Sequence, residues 1–285
     1  LGEPIDSSDI DHIYWEELAQ LIKDNYENFD GFVILHGTDT MGYTASALSF
    51  MLQPLSKPVV LTGSQLPIGT IRTDGKENLI TAIEIASDYT PENSAHVPEV
   101  CIYFENQLMR GNRTRKFNSE NFEAFHSPNY PDLAKVGINI NYQKEYIKPG
   151  DSTALQAIPT FNPNIFILKL FPGIPIAVTP AIKGFILESF GAGNAPLNQE
   201  LLDALQHTIA AGKPIINVTQ CYAGSVLQGK YDTSKYLEDI GVLSGRDLTT
   251  EAACAKLMYA LGINSTPSEL EALFQKSLVG ECSEN

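Results

Sequence analysis

The sequence contains no long apolar run and no excess of positive charge. A membrane-spanning helix needs roughly 20 consecutive apolar residues, and no stretch of the 285 residues approaches that length. Lys and Arg number 19 against 34 Asp and Glu, which gives a formal net charge of −15. This balance argues against nucleic acid or a membrane as the partner, and it favours a small-molecule ligand.

Cysteine and histidine motifs are also scarce. The four cysteines are widely spaced, without a Cys-x-x-Cys pair, and none of the five histidines lies within one helical turn of another. The sequence therefore predicts no metal site, and reduced thiols typical of a cytoplasmic protein. His36 is interpreted as a packed histidine at a strand end. No P-loop is present, and residues 191–196 lack the third glycine of a dinucleotide-binding loop, so no cofactor is expected.

Strand and helix patterns alternate along the chain. Strands are predicted at 32–35, 58–61, 100–104, 165–171, 184–190 and 214–218, and helices at 13–26, 41–52, 74–86, 199–211, 249–262 and 267–278. Periodicity is weak from 106 to 163. The alternation predicts an α/β fold, with a mostly parallel wound sheet in a larger N-terminal domain, residues 1–155, and a smaller C-terminal α/β domain, residues 156–285.

Residues 31–41 combine a predicted strand with polar side chains at its end. The apolar run 32–35 suits a strand covered on both faces, and Thr38 and Asp39 follow it, just before the helix at 41–52. Ligands of open α/β sheets bind beyond the carboxyl ends of the strands. The stretch therefore predicts a binding site, although Thr-Asp at a strand-to-helix junction is also a common cap arrangement.

The basic run at residues 110–116 has two interpretations. Four of its seven residues are Arg or Lys, and such a run is either a solvated loop with local ion pairs or the source of one cation that meets Asp39. A desolvated lysine can act as a base toward a hydroxyl, whereas arginine stays charged. Lys116 is therefore the candidate. Ser64 follows the strand at 58–61 and is expected near any ligand.

These motifs together resemble the bacterial-type L-asparaginases, most closely their type I, intracellular branch. The matching motifs are DSSD at 6–9, HGTDTM at 36–41, TGSQ at 62–65, RTDG at 72–75, RGNRTRK at 110–116, GAGN at 191–194 and NVTQC at 217–221. The resemblance covers nearly the whole chain. It implies hydrolysis of the side-chain amide of L-asparagine, with L-glutamine as a second candidate substrate, through a threonine acyl-enzyme.

The resemblance also implies catalytic roles. Thr38 is expected to be the second active-site threonine, Lys116 its proton partner, and Asp39 the carboxylate that binds the substrate α-ammonium. The other threonine, the expected nucleophile, lies in a Thr-Gly-Gly-Thr-Ile segment near the amino terminus of such proteins. No such segment occurs here. We therefore expect a truncated chain that lacks the nucleophile and a central strand of the sheet.

Further residues are assigned to substrate binding. Ser7, with Asp6 and Ser8 beside it, is expected to hold the α-carboxylate, and Ser64 to lie at the same site. Asn194 resembles the residue that reaches a neighbouring subunit's site, and the family pattern implies a homodimer or homotetramer.

Two other functions stay open at this point. The first is the asparaginase-like subunit of an RNA-dependent amidotransferase, which would need transfer RNA as a partner and an additional amino-terminal module; the acidic composition disfavours it. The second is a non-catalytic amino-acid-binding protein, which the missing nucleophile would explain. Ammonia release from asparagine and glutamine separates these functions.

Overall fold

The chain divides into two compact units, Leu1–Pro159 and Thr160–Asn285. The prediction placed this boundary after residue 155. The structure, a computed structural model, describes residues 4–174, 181–229 and 232–284, without the side chains of 232–234. Each unit contains a sheet of its own with helices alongside, so the α/β class with two domains is confirmed.

The first unit contains eight strands and three α-helices in its described part. The strands are β1 Phe32–Leu35, β2 Val59–Thr62, β3 Val100–Phe104, β4 Gln107–Arg110, β5 Arg115–Lys116, β6 Phe125–His126, β7 Ala134–Val136 and β8 Ile140–Tyr142. The helices are α1 His12–Asp24, α2 Met41–Met51 and α3 Gly75–Ser87. The main sheet has the order β1-β2-β3-β4-β7-β8, and β5 pairs with β6 in a separate ribbon.

Parallel pairing is restricted to the first three strands of the main sheet. β1 pairs with β2 and β2 with β3 in parallel, whereas β4, β7 and β8 join in antiparallel register. The sequence predicts a mostly parallel sheet and assigns no strand to residues 106–163. The difference begins at Glu105 and Asn106, whose φ angles are 44° and 65°. Such a two-residue turn joins antiparallel strands, because a parallel connection needs a long crossover.

β1 is less buried than the sequence predicts. Its apolar run suits a strand covered on both faces, yet Phe32–Leu35 is half-buried and Leu35 is 64% exposed. The reason is position, since β1 forms an edge of the sheet and pairs with β2 alone among the described strands. β2, which is paired on both sides, is fully buried. The predicted absence of a neighbouring strand stays a prediction.

α2 is buried almost all round and leads directly from the end of β1. Ten of its eleven residues are buried, which its small side chains allow. Ser46 and Ser49 donate their hydroxyl protons to the carbonyls of Gly42 and Ala45, so no polar group of these serines is left unpaired in the core. A rigid, packed helix therefore fixes the segment that precedes it.

The described part of the second unit contains a four-stranded sheet in which every pairing is parallel. Its strands are β9 Ile165–Lys169, β10 Gly184–Ser189, β11 Ile215–Thr219 and β12 Leu243–Ser244, in the order β12-β11-β10-β9. Its helices are α4 Gln199–Ala210, α5 Asp232–Asp239, α6 Thr250–Gly262 and α7 Pro267–Phe274. Among the described residues of both units, no helix has the length and apolar character needed to cross a membrane.

Candidate active site

Three chain segments meet beyond the carboxyl ends of β1 and β2. The first is residues 36–40, between β1 and α2, and the second is residues 63–66, which follow β2. The third is the basic run 110–116, which ends in β5. Because parallel strands point their carboxyl ends to the same edge of the sheet, the first two segments lie side by side there. The third segment is joined to them by its last residue.

Lys116 binds both polar residues at the end of β1. Its Nζ donates to Thr38 Oγ1 at 2.8 Å and forms a 2.5 Å ion pair with Asp39 Oδ1. The lysine side chain is 16% exposed, whereas that of Asp39 is 67% exposed. The structure thus brings together the three residues predicted as catalytic. Of the two interpretations of the basic run, the one in which a cation meets Asp39 is observed.

Residues 110–114 of the basic run are buried, whereas Arg115 is half-buried. Arg110 pairs with the Glu99 carboxylate at 2.5 Å, and both side chains are buried. Burial alone would lower the pKa of Arg110, but the hydrogen bond and charge of Glu99 raise it above its ordinary value. The guanidinium groups of Arg110 and Arg113 lie 4.4 and 5.0 Å from the ring centre of Tyr130. These arginines are therefore anchors and not a solvated loop.

The loop that carries Ser7 is docked against the same segment. Ser7 is 4% exposed, and a Cβ atom at position 37 would lie 2.6 Å from its Oγ, so only glycine fits there. Thr40 Oγ1 donates to the Ser7 carbonyl at 2.6 Å. Asp6 accepts bonds from the N–H and the hydroxyl of Ser8, and these bonds lower the pKa of Asp6. The structure thus brings Ser7 to the end of β1, with Asp6 and Ser8 bound to each other beside it.

The turn after β2 is fixed by the Asp74 carboxylate. Asp74 is 8% exposed and accepts the backbone N–H of Gln65 at 3.1 and 2.9 Å and that of Leu66 at 3.2 Å. Asn78 Nδ2 donates to Asp74 at 3.3 Å and to the Gly63 carbonyl at 3.0 Å. The RTDG motif and Asn78 therefore have a structural task, which is to hold residues 63–66 at the sheet edge.

Gln65, and not Ser64, contacts Thr38. Thr38 Oγ1 donates to Gln65 Oε1 at 3.1 Å. Ser64 is half-buried and packs against the start of α3, where a Cβ atom on Gly75 would lie 2.9 Å from the serine Cβ. Sequence reasoning singled out Ser64 and missed Gln65. The TGSQ motif marks the turn, but the residue types alone do not say which side chain of the turn points to the threonine.

His36 is held by neighbours on both ring nitrogens. Its Nδ1 donates to the Gly37 carbonyl at 2.6 Å, and its Nε2 accepts from Thr44 Oγ1 at 2.8 Å. Thr44 in turn accepts the indole N–H of Trp15 at 3.0 Å. Burial lowers the pKa of His36. The ring is therefore a neutral packing group beside the site, with neither nitrogen directed at Lys116.

Asn194 belongs to the second unit. It closes a short turn after β10, in which its backbone N–H donates to the Phe190 carbonyl at 2.8 Å and its carbonyl accepts from the Phe190 N–H at 2.9 Å. Gly193 in this turn has a φ of 103°, which glycine adopts without strain. The role expected for Asn194 at a neighbouring subunit's site stays a prediction.

The cluster around Thr38 can bind and exchange protons with a small polar molecule. It presents a hydroxyl and an exposed carboxylate, each within hydrogen-bond distance of the same lysine amino group. A lysine and a threonine in contact form a proton-exchanging pair of the kind that activates hydroxyl groups or water. The carboxylate adds a fixed negative charge at the open side.

Comparison with known proteins gives matches over most of the chain. The family "Asparaginase, N-terminal" matches residues 2–148, and "Glutaminase/Asparaginase C-terminal domain" matches residues 164–274. The chain is 41% identical to L-asparaginase 1 of Escherichia coli K12, with 97% of this chain and 82% of that protein covered.

Two further matches are to proteins of which this chain covers only a part. It is 41% identical to the 60 kDa lysophospholipase of Mus musculus, with 97% of this chain covered, but it spans only 49% of that protein. The crystal structure of L-asparaginase I from Vibrio cholerae superposes with a TM-score of 0.88 at 42% identity, covering 98% of this chain and 84% of that one.

Proposed function

The chain belongs to the asparaginase family, and from this premise we propose that it hydrolyses the side-chain amide of L-asparagine to aspartate and ammonia. In this reaction the amide C–N bond breaks, water supplies the hydroxyl of the new carboxyl group, and a proton leaves with the ammonia. The observation that carries the proposal is the contact of Lys116 Nζ with Thr38 Oγ1 at 2.8 Å and Asp39 Oδ1 at 2.5 Å.

Asp39 and Ser7 are proposed to hold the two charged ends of the amino acid. Asp39 is the exposed carboxylate of the cluster, and a substrate α-ammonium is the group that such an anion attracts. Ser7 lies against Gly37 at the same strand end, which supports its assignment to the α-carboxylate. Holding both charged ends fixes the position of the side-chain amide relative to the reacting groups of the protein.

Thr38 and Lys116 are proposed to transfer the protons. Thr38 Oγ1 is within hydrogen-bond distance of the lysine, so a proton can pass between a reacting group and Nζ through the hydroxyl. An acyl-enzyme on another threonine is part of the proposal and is carried by the family resemblance. L-glutamine is a second candidate substrate, because one methylene changes binding in a pocket by only about 1–3 kcal/mol.

The test is to replace Lys116 and Thr38, the two residues proposed to transfer protons, one at a time in the full-length gene product. We predict that Lys116→Met and Thr38→Val each lower kcat for asparagine by about 10²–10⁴-fold, because each removes a proton-transferring group. Ammonia release measures the rate, and circular dichroism checks the fold. Lys135→Met is a matched control, since the side chain of this lysine is 68% exposed and pairs with Asp132, and it should keep the wild-type rate.

Two outcomes would contradict the proposal. Wild-type kcat in Lys116→Met or Thr38→Val would remove the assigned residues from the reaction. Calorimetric binding of asparagine by the wild-type protein without ammonia release would instead indicate an amino-acid-binding protein.

A cytoplasmic location and a homodimer or homotetramer complete the proposal. All four cysteines are free thiols, and Cys101, Cys254 and Cys282 are buried, which supports a reducing compartment. The acidic composition supports the absence of a nucleic-acid partner.

A further inference from the structure

Three of the described α-helices begin directly after a threonine, and one of these threonines does not cap its helix. Thr249 and Thr266 each accept the backbone N–H of the third residue that follows, at the starts of α6 and α7. Thr40, at the start of α2, makes no such bond. A capping hydroxyl stabilises the first turn of a helix, so a threonine that leaves this bond unmade has its hydroxyl engaged elsewhere.

The hydroxyl of Thr40 instead joins α2 to the loop at residues 6–9. Its Oγ1 donates to the backbone carbonyl of Ser7, 33 residues earlier in the chain, at 2.6 Å. The carbonyl of Thr40 itself accepts the N–H groups of Tyr43 and Thr44, so its backbone belongs to the first turn of the buried helix. The bond therefore ties the Ser7 loop to a rigid element.

Ser7 is buried but leaves its own hydroxyl unused. The residue is 4% exposed, and its Oγ has no hydrogen-bond partner among the residues that the structure describes. Buried hydroxyls of folded proteins are normally paired, so an unpaired one calls for an explanation. A hydroxyl kept free at the end of β1 is available to donate to a bound carboxylate.

One short segment fixes both groups that are proposed to hold the ends of the substrate. Thr40 binds the Ser7 carbonyl, and a Cβ atom on Gly37 would lie 2.6 Å from Ser7 Oγ. Asp39, the proposed partner of the α-ammonium, stands between these two contacts in the sequence. The distance between the bound ammonium and the bound carboxylate therefore depends on how residues 37–40 hold Ser7.

We propose that Thr40 is a positioning residue, which places the Ser7 hydroxyl for recognition of the substrate α-carboxylate. This proposal rests on the proposed function of Ser7. Without the Thr40 hydroxyl the Ser7 loop loses its bond to α2, and its hydroxyl spends less time at the position that the carboxylate requires. The effect falls on substrate binding, because Thr38 and Lys116 keep their own contact.

The experiment is a double-mutant cycle between positions 40 and 7, with ammonia release as the assay. Thr40→Val keeps the shape of the side chain and removes the hydroxyl. It should raise KM for asparagine about fivefold, the value of one neutral hydrogen bond, with kcat within about twofold of wild type. In the Ser7→Ala background, which has no hydroxyl to place, Thr40→Val should cause no further rise.

Two further variants separate positioning from a general loss of structure. Thr40→Ser retains the hydroxyl and should keep the wild-type KM. Thr208→Val is the matched control, since Thr208 of α4 is also buried and donates its hydroxyl to the carbonyl of Ala204 at 2.7 Å. It should keep the wild-type KM as well. Circular dichroism checks the fold of every variant.

Four results would overturn the inference. They are a wild-type KM in Thr40→Val, a fall of kcat with unchanged KM, an equal rise of KM with and without the Ser7 hydroxyl, and a rise in Thr40→Ser as large as in Thr40→Val. Failure of the proposed function of Ser7 is distinguishable, because Ser7→Ala alone would then retain the wild-type KM.

Discussion

His36 shows how a single buried side chain can make stability depend on pH. Its Nδ1 donates to Gly37 and its Nε2 accepts from Thr44, an arrangement that only the neutral ring can make. Burial lowers its pKa in the folded protein below the ordinary value of 6.5. Below pH 6.5 the unfolded chain therefore binds a proton that the folded chain does not, and the free energy of unfolding falls until the folded pKa is passed.

We predict that the wild-type protein loses more stability between about pH 7.5 and 5.5 than His36→Asn does. Asparagine keeps a donor for the Gly37 carbonyl and does not titrate. Urea unfolding of both proteins at the two pH values measures how much unfolding free energy each loses. The contributions of the titrating groups that the two proteins share cancel in the difference between these losses. His207→Asn, at an exposed histidine of α4, should behave as wild type. Equal losses in wild type and His36→Asn would contradict the prediction.

At this scale the sequence indicated much of the candidate site. Thr38, Asp39 and Lys116 stand in motifs whose residue types already suggest a hydroxyl, an anion and a base, and the structure brings them together. Gln65 could not be found in this way. Its contact depends on the backbone carbonyl of Asn121, 56 residues further along the chain, and no local pattern encodes that distance.

At the scale of elements, a buried ion pair attaches the end of the chain to α6. Lys256 and Glu281 are both 0% exposed, with Nζ and Oε1 2.5 Å apart. Burial alone would raise the pKa of Glu281, but the Lys256 charge and the N–H groups of Val279 and Leu278 lower it below its ordinary value. The carboxylate is therefore ionised, and residues 277–281 are folded around it.

We predict that Lys256→Met and Glu281→Gln each lower the free energy of unfolding by about 3–5 kcal/mol, because each leaves one buried group without its partner. The double variant should lose clearly less than the sum of the two, since no unpaired charge remains. Urea unfolding of the four proteins measures this coupling. Additive losses would mean that the two groups do not stabilise each other.

The helices and strands predicted from the sequence are those with a helical apolar period or a continuous apolar run. The helices at 41–52, 199–211 and 249–262 are observed within two residues at each end. Strands β4–β8 were missed because none of them is a continuous apolar run such as Phe32–Leu35, and because their register is set by turns. The Lys256–Glu281 pair was beyond prediction, since α6 otherwise resembles an ordinary apolar helix.

At the scale of the whole molecule, the two-domain α/β fold and the asparaginase family were predictable. The motifs recur along nearly the full chain, and two family matches confirm the assignment. Surface properties also follow from composition, because a formal charge of −15 is independent of the fold. The number of subunits is not predictable in this way, since it depends on which exposed apolar side chains form a continuous surface.

We predict a mass of two or four times the 31.2 kDa chain by light scattering at about 0.15 M NaCl. Large apolar side chains such as Ile13, Leu21 and Phe29 are exposed, which favours association of copies. At about 0.01 M salt the repulsion between chains that each carry −15 is less screened, so the assembly should partly dissociate and reform when salt is restored. A monomer under both conditions would contradict the prediction.

The contacts of the site differ widely in the number of residues that separate the two partners along the chain. Gln65 meets Asp74 only nine residues away, whereas the bond between Lys116 and Thr38 joins residues 78 positions apart. Closing a longer loop costs more chain entropy and slows the search for the contact. During folding, the turn after β2 should therefore form early and the lysine contact late. We therefore expect the contact on which the proposed proton transfer depends to be among the last to form during folding.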